Sequence, residues 1–189
     1  MRKVVMFNLV TLDGLFCGPN GEIDWHNVDD EFNQFAIEQT SKFDTIIFGR
    51  ITYQLFEDFW PKAALDPKTS KADLKIANMI IEMNKIVFSR TLKQVEWKNT
   101  KLFNRINPEV IVRLKKQAGR DIVIFGSGTI VQTFVNLGLI DEYRVLINPV
   151  ILGRGKPLFK GINDKINLKL LKTRTFSNGN ILLVYQPKK

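Results

Sequence analysis

Two places in the sequence join a short apolar run to a helix-period segment through glycine, and both continue into hydroxyl-bearing residues. The residues are Gly49, Arg50 and Thr52 at the first junction and Gly126, Ser127, Gly128 and Thr129 at the second. Glycine lets the chain turn closely, and the helix that follows presents free N–H groups and a positive dipole end to an anion. Paired glycines also remove side chains that would keep a pyrophosphate away from the backbone. Together the junctions predict a site for dinucleotide phosphates, although each one alone fits ordinary turn geometry equally well.

A third polar pair, Ser89 and Arg90, follows the apolar run Ile86–Phe88. A guanidinium group binds phosphate through two parallel hydrogen bonds, which suits the 2′-phosphate that distinguishes NADP from NAD. The alternative is a polar strand end with a solvated arginine, and the segment taken alone favours this alternative.

Acid and base groups concentrate before and within a predicted helix start. The carboxylates are Asp29, Asp30 and Glu31, and the only histidine of the chain is His26. Capping and the helix dipole account for at least two of the three carboxylates. A carboxyl group partly shielded by Trp25 and Phe32 would have a raised pKa and could supply a proton to a heterocycle during reduction. His26 has no partner pattern, so we expect it on the surface or in a loop.

Four short runs rich in β-branched and aromatic residues predict buried strands. They are Val4–Val10, Phe43–Phe48, Ile86–Phe88 and Ile122–Phe125. Helix-period segments lie between them. The clearest runs from Asn107 to Ala118, with Asn107 as its N-cap, Pro108 at its first position and Gly119 as its terminator. This alternation predicts a mostly parallel sheet covered by helices.

Beyond Gly138 the pattern indicates antiparallel strands. Residues 142–152 predict a long strand, and two further apolar segments, 166–170 and 181–185, flank the pair Asn178-Gly179. Both turn residues tolerate positive φ, so this pair predicts a tight hairpin at the edge of the sheet.

Two glycine-containing loops complete the pattern. The pattern of residues 153–157 predicts a loop whose basic side chains either attract an anionic substrate or are solvated, and solvation is favoured. Residues 13–21 predict a mobile loop, which either closes over a substrate or forms a surface turn without a role.

Composition excludes several classes of protein. The 189 residues are 44% hydrophobic and 25% charged, which is typical of a globular protein, and this length favours one domain spanning residues 1–189. No apolar stretch approaches the roughly 20 residues of a membrane-spanning helix. A single cysteine, Cys17, and an amino terminus without signal-peptide features predict a reducing, cytoplasmic location. Without a Cys/His cluster, no protein-bound metal is expected.

The net charge of +9 favours anionic partners. The bases are dispersed along the chain. This distribution suits a phosphorylated small molecule at least as well as a nucleic acid, which would need many phosphate contacts along one face.

The order of these motifs resembles the dihydrofolate reductase superfamily, and more specifically the reductase domain of the bifunctional riboflavin-biosynthesis deaminase-reductase. The resemblance covers nearly the whole chain. It is carried by Asp13-Gly14 and by residues 48–53, 88–90, 125–129, 137–142 and 153–159. It implies a three-layer α/β fold, with a mostly parallel central sheet flanked by helices and an antiparallel C-terminal hairpin at the edge.

The resemblance also implies a reaction, an NADPH-dependent reduction of a pyrimidine, pterin or sugar-derived substrate. The first candidate substrate is 5-amino-6-(5-phosphoribosylamino)uracil, and dihydrofolate is the second. The implied cofactor ligands are Gly49, Arg50 and Thr52 for phosphates, Ser89 and Arg90 for the 2′-phosphate, and Gly126, Ser127, Gly128 and Thr129 for the pyrophosphate region. The implied proton donor is Asp30, which follows Trp25 at a spacing similar to that of dihydrofolate reductases. A homodimer is implied too, with its interface in the strands after Glu142.

Two departures from the dihydrofolate reductase pattern disfavour folate. The second junction has Gly-Ser-Gly instead of adjacent glycines, and Phe134 stands where those enzymes have tyrosine. Two other classes of protein stay open. One is a non-catalytic NADP-binding sensor, and the other, motivated only by the net charge, is a basic nucleic-acid-binding protein.

Overall fold

The computed structural model describes residues 1–188. Its strands are β1 (Val4–Thr11), β2 (Leu15–Cys17), β3 (Phe43–Gly49), β4 (Asn84–Phe88), β5 (Thr100–Phe103), β6 (Asp121–Ile124), β7 (Glu142–Asn148), β8 (Lys156–Pro157), β9 (Leu168–Thr175) and β10 (Ile181–Pro187). Its helices are α1 (Asp30–Thr40), α2 (Arg50–Ala63), α3 (Lys71–Glu82), α4 (Pro108–Lys116) and α5 (Gly128–Asn136).

Eight of the strands form one sheet in the order β5-β4-β3-β6-β1-β7-β10-β9, and β2 pairs with β8 in a small second sheet. Strands β1 and β3 to β7 run parallel, whereas β10 runs antiparallel to both β7 and β9. The mostly parallel sheet and the antiparallel hairpin at its edge are therefore confirmed. The four strands predicted as buried are β4, β3, β6 and β1, which lie side by side in the centre.

The sheet separates two apolar cores, because successive side chains of a strand point to opposite faces. From β1, Val4 and Met6 face α4 and α5, whereas Val5 and Phe7 face the other three helices. The helices contribute Ile111, Ile130, Val131 and Phe134 to the first core and Phe35, Tyr53, Ile76 and Ile80 to the second. Burial of these side chains stabilises three layers, helices on both faces of a central sheet.

Several predicted boundaries were wrong. The strand predicted for 142–152 ends at Asn148, where Pro149 follows. The predicted loop 153–157 contains β8, which pairs with β2 through Leu15 opposite Pro157. Helix α4 ends at Lys116, because Gln117 already has an extended backbone. Among residues 1–188, no helix is both long and apolar enough to span a membrane.

Candidate functional site

The two glycine junctions meet at the carboxyl ends of β3 and β6, which are neighbours in the sheet. A Cβ atom added to Gly49 would lie 2.5 Å from Ser127 Oγ and 3.0 Å from Ile130 Cγ1. A Cβ atom added to Gly126 would lie 3.1 Å from Thr52 Oγ1. Gly126 also has φ of +142°, which side-chain-bearing residues rarely adopt, and its bond to Ser127 is cis. The two turns therefore pack directly against each other.

Each junction ends at a helix start that lacks a side-chain cap. Gly49 is the N-cap of α2 and Ser127 is the N-cap of α5, and neither accepts a side-chain hydrogen bond from its own helix. Neither helix has an acidic residue in its first turn. The first N–H groups and the positive dipole ends of α2 and α5 are thus left for an anion at one edge of the sheet.

The other junction residues surround these helix starts. Arg50 is exposed, and its Nη1 donates a 3.1 Å hydrogen bond to Gln54 Oε1 on the next turn of α2. Thr129 is exposed in the first turn of α5. A Cβ atom added to Gly128 would lie 2.5 Å from the ring of Phe16, so β2 covers the start of α5 closely. This contact requires glycine at position 128.

Ser89 and Arg90 lie at the same edge, because β4 is paired with β3 up to Phe88 opposite Gly49. Ser89 Oγ accepts hydrogen bonds from the backbone N–H groups of Thr91 at 3.2 Å and Leu92 at 2.9 Å. Its hydroxyl therefore shapes its own loop. Arg90 is exposed beside it, and no ion pair joins Arg90 to another residue between 1 and 188.

Asn8 belongs to the site and sequence analysis missed it. It lies on β1, two residues beyond Met6, which is the last residue paired with β6. Its Nδ2 donates a 3.0 Å hydrogen bond to the carbonyl of Phe125, the residue before Gly126. Its Oδ1 is buried and has no partner among the described residues. The available signal was a polar residue within the apolar run Val4–Val10.

The three carboxylates at the start of α1 have different surroundings. Asp29 is the N-cap, and its Oδ1 accepts a 2.8 Å hydrogen bond from Phe32 N. Glu31 accepts hydrogen bonds from the backbone and hydroxyl of Ser177, both at 2.8 Å, and from Arg174 at 2.9 Å. The backbone N–H of Ser177, followed by Arg174, lowers the pKa of Glu31 to about 2. Glu31 therefore stays ionised and does not fit a proton donor.

Asp30 is exposed at the first position of α1, and its carboxylate accepts no hydrogen bond from the residues described. The aromatic shielding expected from Trp25 is not present. Trp25 packs edge-on against His26 at 4.5 Å, and its Nε1 donates to the carbonyl of Glu22. Burial lowers the pKa of His26 to about 4, so its imidazole is neutral at neutral pH.

A network of asparagines holds the segment before α1 over the carboxyl end of β7. Asn148 Oδ1 accepts a 2.9 Å hydrogen bond from Asn27 N. Asn27 Nδ2 donates to the carbonyl of Asn178 at 2.7 Å, and Asn180 Nδ2 donates to the carbonyl of Asn27 at 2.8 Å. The hairpin turn and the start of α1 are thereby fixed at the edge that carries the glycine junctions.

The predicted mobile loop is tied down at its start. Asp13 accepts hydrogen bonds from the hydroxyl of Thr11 at 2.5 Å and from the backbone of Gly153 at 2.8 Å and Leu152 at 3.3 Å. The Thr11 hydroxyl is the main cause of a lowered pKa of Asp13. One carboxylate thus links the end of β1 to the loop that precedes β8.

The fold defines a class, the α/β proteins with a dihydrofolate-reductase-like sheet. A dihydrofolate reductase from Enterococcus faecalis, solved with NADP(H), has the same fold at a TM-score of 0.63, with 13% identity over 99% of this chain and 97% of that one. The chain belongs to the RibD C-terminal domain family, whose model matches residues 2–182.

Relatives and solved structures agree with this family. The uncharacterized protein YyaP of Bacillus subtilis (strain 168) is 40% identical over 187 residues, which cover 97% of this chain and 94% of YyaP. A putative riboflavin biosynthesis protein from Shewanella sp. PV-4 aligns over all of both chains at a TM-score of 0.74 and 22% identity. A diaminohydroxyphosphoribosylaminopyrimidine deaminase/5-amino-6-(5-phosphoribosylamino)uracil reductase from Thermotoga maritima aligns over 99% of this chain and 57% of its own, at a TM-score of 0.68 and 15% identity.

Proposed function

We propose that this protein is an NADPH-dependent reductase, folded as one domain, that acts on a pyrimidine, pterin or sugar-derived substrate. The observation that carries the proposal is the meeting of two uncapped helix starts, at Gly49 and Ser127, at the carboxyl ends of neighbouring parallel strands. Open α/β sheets bind ligands at this edge. Membership of the RibD C-terminal domain family supports a reductase.

The residues at this edge fit the phosphates of NADPH. Gly49, Gly126 and Gly128 carry no side chain, which lets the two turns pack together at this edge, and the first turns of α2 and α5 supply N–H donors. Arg50, Thr52, Ser127 and Thr129 would add side-chain donors to these phosphates. Ser89 and Arg90, one strand away, would hold the 2′-phosphate, chiefly through the exposed guanidinium.

Bound NADPH supplies a hydride to a C=N or C=O group, and the protein supplies orientation and a proton. Asp30 is the proposed proton donor, because Asp29 and Glu31 beside it are engaged in hydrogen bonds within the chain. The asparagine network through Asn27 and Asn148 would hold the start of α1 at the reacting edge.

The first candidate substrate is 5-amino-6-(5-phosphoribosylamino)uracil, which is supported by the named activity of the Thermotoga maritima neighbour. Dihydrofolate is the second. We further propose a cytoplasmic homodimer whose interface lies in the strands after Glu142. The edge strand β9 supports this interface, because its Leu170 and Leu171 are 49% and 44% exposed.

The test is a calorimetric titration of the purified protein with NADPH and, in parallel, with NADH. We expect saturable one-site binding that favours NADPH, and a loss of this preference in Arg90→Ala. Turnover of the two candidate substrates is then measured as the consumption of NADPH. A folded protein that binds neither nucleotide would overturn the proposal.

One observation favours a second candidate, a non-catalytic NADP-binding protein. Asp30 is exposed, and no other side chain of residues 1–188 forms a hydrogen bond with its carboxylate, so no described residue orients this group towards a substrate. Asp30→Asn separates the two candidates, with Asp24→Asn, an exposed carboxylate before α1, as the matched control. If the protein is an enzyme that uses Asp30, the Asp30→Asn variant loses turnover but keeps its affinity for NADPH, and the Asp24→Asn variant keeps both. A binding protein shows no turnover in any of these variants.

A further inference from the structure

Two cavities open at the amino edge of the sheet, opposite the candidate coenzyme site. Each has a volume of about 420 Å³, within the usual range for small-molecule pockets. The first lies between α4 and the strands β4 and β5, and we name it the α4 cavity. The second lies on the other face, and Asn84 lines both.

The two cavities differ in charge. The cationic residues that line the α4 cavity are Arg2, Lys85, Lys101 and Arg113, and no carboxylate among the described residues lines it. The second cavity is lined by Asp44, Glu82 and Arg120, so its charges are mixed. A purely cationic lining is therefore specific to the α4 cavity and is not a general property of this edge.

Two of the four cations are already engaged within the fold. Lys85 Nζ donates to the carbonyls of Ile81 at 2.8 Å and Met83 at 2.9 Å. Arg2 forms an ion pair with Asp44. Lys85 and Arg2 therefore stabilise the amino edge of the sheet, and their charges are largely engaged within the fold.

The other two cations are available. Within residues 1–188, neither Lys101 nor Arg113 forms a side-chain hydrogen bond or an ion pair, and both are exposed. Lys101 lies on the same face of β5 as Phe103, because side chains alternate along a strand. Arg113 lies three residues after Val110 on α4, so the two share a helix face. Both cations therefore border the cavity from opposite walls.

The remaining lining is apolar with a few carboxamides. Ile86, Phe103 and Leu114 supply apolar surface, and the ring of Phe103 is half-buried. The side chains of Asn84 and Gln117 have no hydrogen-bond partner among residues 1–188. An apolar wall with free carboxamides suits a planar heterocycle, and two free cations suit a phosphate.

We infer that the α4 cavity binds a phosphate monoester of mononucleotide size. Lys101 and Arg113 hold the phosphate, Phe103 contacts the planar ring, and the carboxamides of Asn84 and Gln117 bind its polar edge. Asn84 and Lys85 place the cavity at the amino end of β4, whereas the proposed coenzyme site lies at the carboxyl end of that strand. Phe103 lies between the two sites, because its carbonyl accepts a 2.9 Å hydrogen bond from Ser89 N. It does not depend on the proposed reductase activity.

The test is calorimetric titration with AMP at physiological salt, with adenosine and inorganic phosphate as partial probes. We expect one saturable site for AMP with a Kd of about 1 mM or tighter. Lys101→Ala and Arg113→Ala should each weaken AMP binding about tenfold, because each removes a charge-assisted hydrogen bond. Lys116→Ala, an exposed base on the same helix outside the cavity, should change the Kd less than twofold.

Two further measurements assign the site. AMP should bind equally well with NADPH present, and Arg50→Ala should not weaken it. Competition with NADPH, or a loss caused by Arg50→Ala, would place AMP at the carboxyl edge and overturn the inference. Equal losses of AMP affinity in Lys116→Ala and Arg113→Ala would show diffuse attraction to a basic surface. This result would also overturn the inference. So would the absence of saturable AMP binding to the folded wild-type protein.

Discussion

Of the five helices between residues 1 and 188, three begin with a side chain that accepts a hydrogen bond from the first turn, and the other two do not. The capped helices are α1, α3 and α4, with Asp29, Ser70 and Asn107 as their caps. The uncapped helices are α2 and α5, with Gly49 and Ser127 at that position. Since an unsatisfied helix start is costly unless water or a ligand completes it, the contrast separates helix starts that serve the fold from those left for a ligand.

Charge follows the same division. Each capped helix has at least one carboxylate in its first turn, which complements the helix dipole. Neither uncapped helix has one. An anion would therefore meet repulsion at α1, α3 and α4 and attraction at α2 and α5. The two attractive starts also touch each other, so one ligand can use both.

The largest expected effect on NADPH affinity comes from a substitution that separates the starts of α2 and α5. In Gly49→Val the new side chain meets Ser127 Oγ and Ile130, whose nearest atoms lie 2.5 and 3.0 Å from the added Cβ position. Overpacking of this kind costs about 1–3 kcal/mol and moves the turns apart. We expect NADPH affinity to fall about 10- to 100-fold in a calorimetric titration.

Gly138→Ala is the control for this variant. Gly138 has φ of +63° and no neighbour near an added Cβ, so alanine strains the backbone away from the site. We expect lower thermal stability with unchanged affinity for NADPH. If Gly138→Ala weakened NADPH as much as Gly49→Val, global destabilisation would explain both results, and the junctions would have no special role.

The second effect concerns Arg50, the one cationic residue in the first turns of α2 and α5 within residues 1–188. Arg50 is the first residue of α2 and is exposed, so Arg50→Ala removes a proposed phosphate ligand without disturbing the core. Loss of one charge-assisted hydrogen bond should weaken NADPH about tenfold. Lys62→Ala, at the other end of the same helix, is the matched control and should leave the Kd unchanged. Equal Kd values for the two variants would contradict phosphate binding at the start of α2.

Local pattern predicted the central part of this fold well. Val4–Val10 and Phe43–Phe48 are nearly continuous apolar runs, which is typical of central strands buried on both faces. Asn107-Pro108 marks the start of α4 through local hydrogen bonding alone. The short, partly polar strand Thr100–Phe103 was missed, because pairing with β4 rather than its own composition makes it a strand.

The candidate site was predictable only in part, for a similar reason. The glycine junctions were visible in the sequence, but their contact depends on β3 and β6 being neighbours, which no local pattern specifies. The bond from Asn8 to Phe125 and that from Glu31 to Ser177 join residues more than a hundred positions apart. Such contacts decide which polar groups are engaged and which stay free for a ligand.

The third effect is the difference in stability between losing the N-cap of α1 and changing the N-cap residue of α5, which makes no capping bond. Asp29→Ala removes the hydrogen bond to Phe32 N and should lower the free energy of unfolding by about 1 kcal/mol. Ser127→Ala removes no capping bond, so it should change stability by less than about 0.5 kcal/mol. Urea denaturation of both variants measures the difference. A loss in Ser127→Ala as large as that in Asp29→Ala would mean that α5 is capped after all.

The smallest effect is the pH dependence of the capped helix α1. The pKa of Glu31 falls from its ordinary 4.5 to about 2, chiefly because of the Ser177 N–H and then Arg174. The unfolded chain therefore takes up this proton at a higher pH than the folded chain. The contribution of Glu31 to stability is complete above about pH 4.5 and is lost as the pH falls towards 2.

Glu31→Gln isolates this contribution, because glutamine does not titrate. Urea denaturation between pH 6 and pH 2 should show a shallower loss of stability in the variant than in the wild type. Parallel curves for Glu31→Gln and the wild type would show that the ion pair with Arg174 and the Ser177 bonds contribute nothing to folding. In that case the Asp29 cap alone would stabilise the start of α1, and Glu31 would join Asp30 as a candidate for the proposed proton donor.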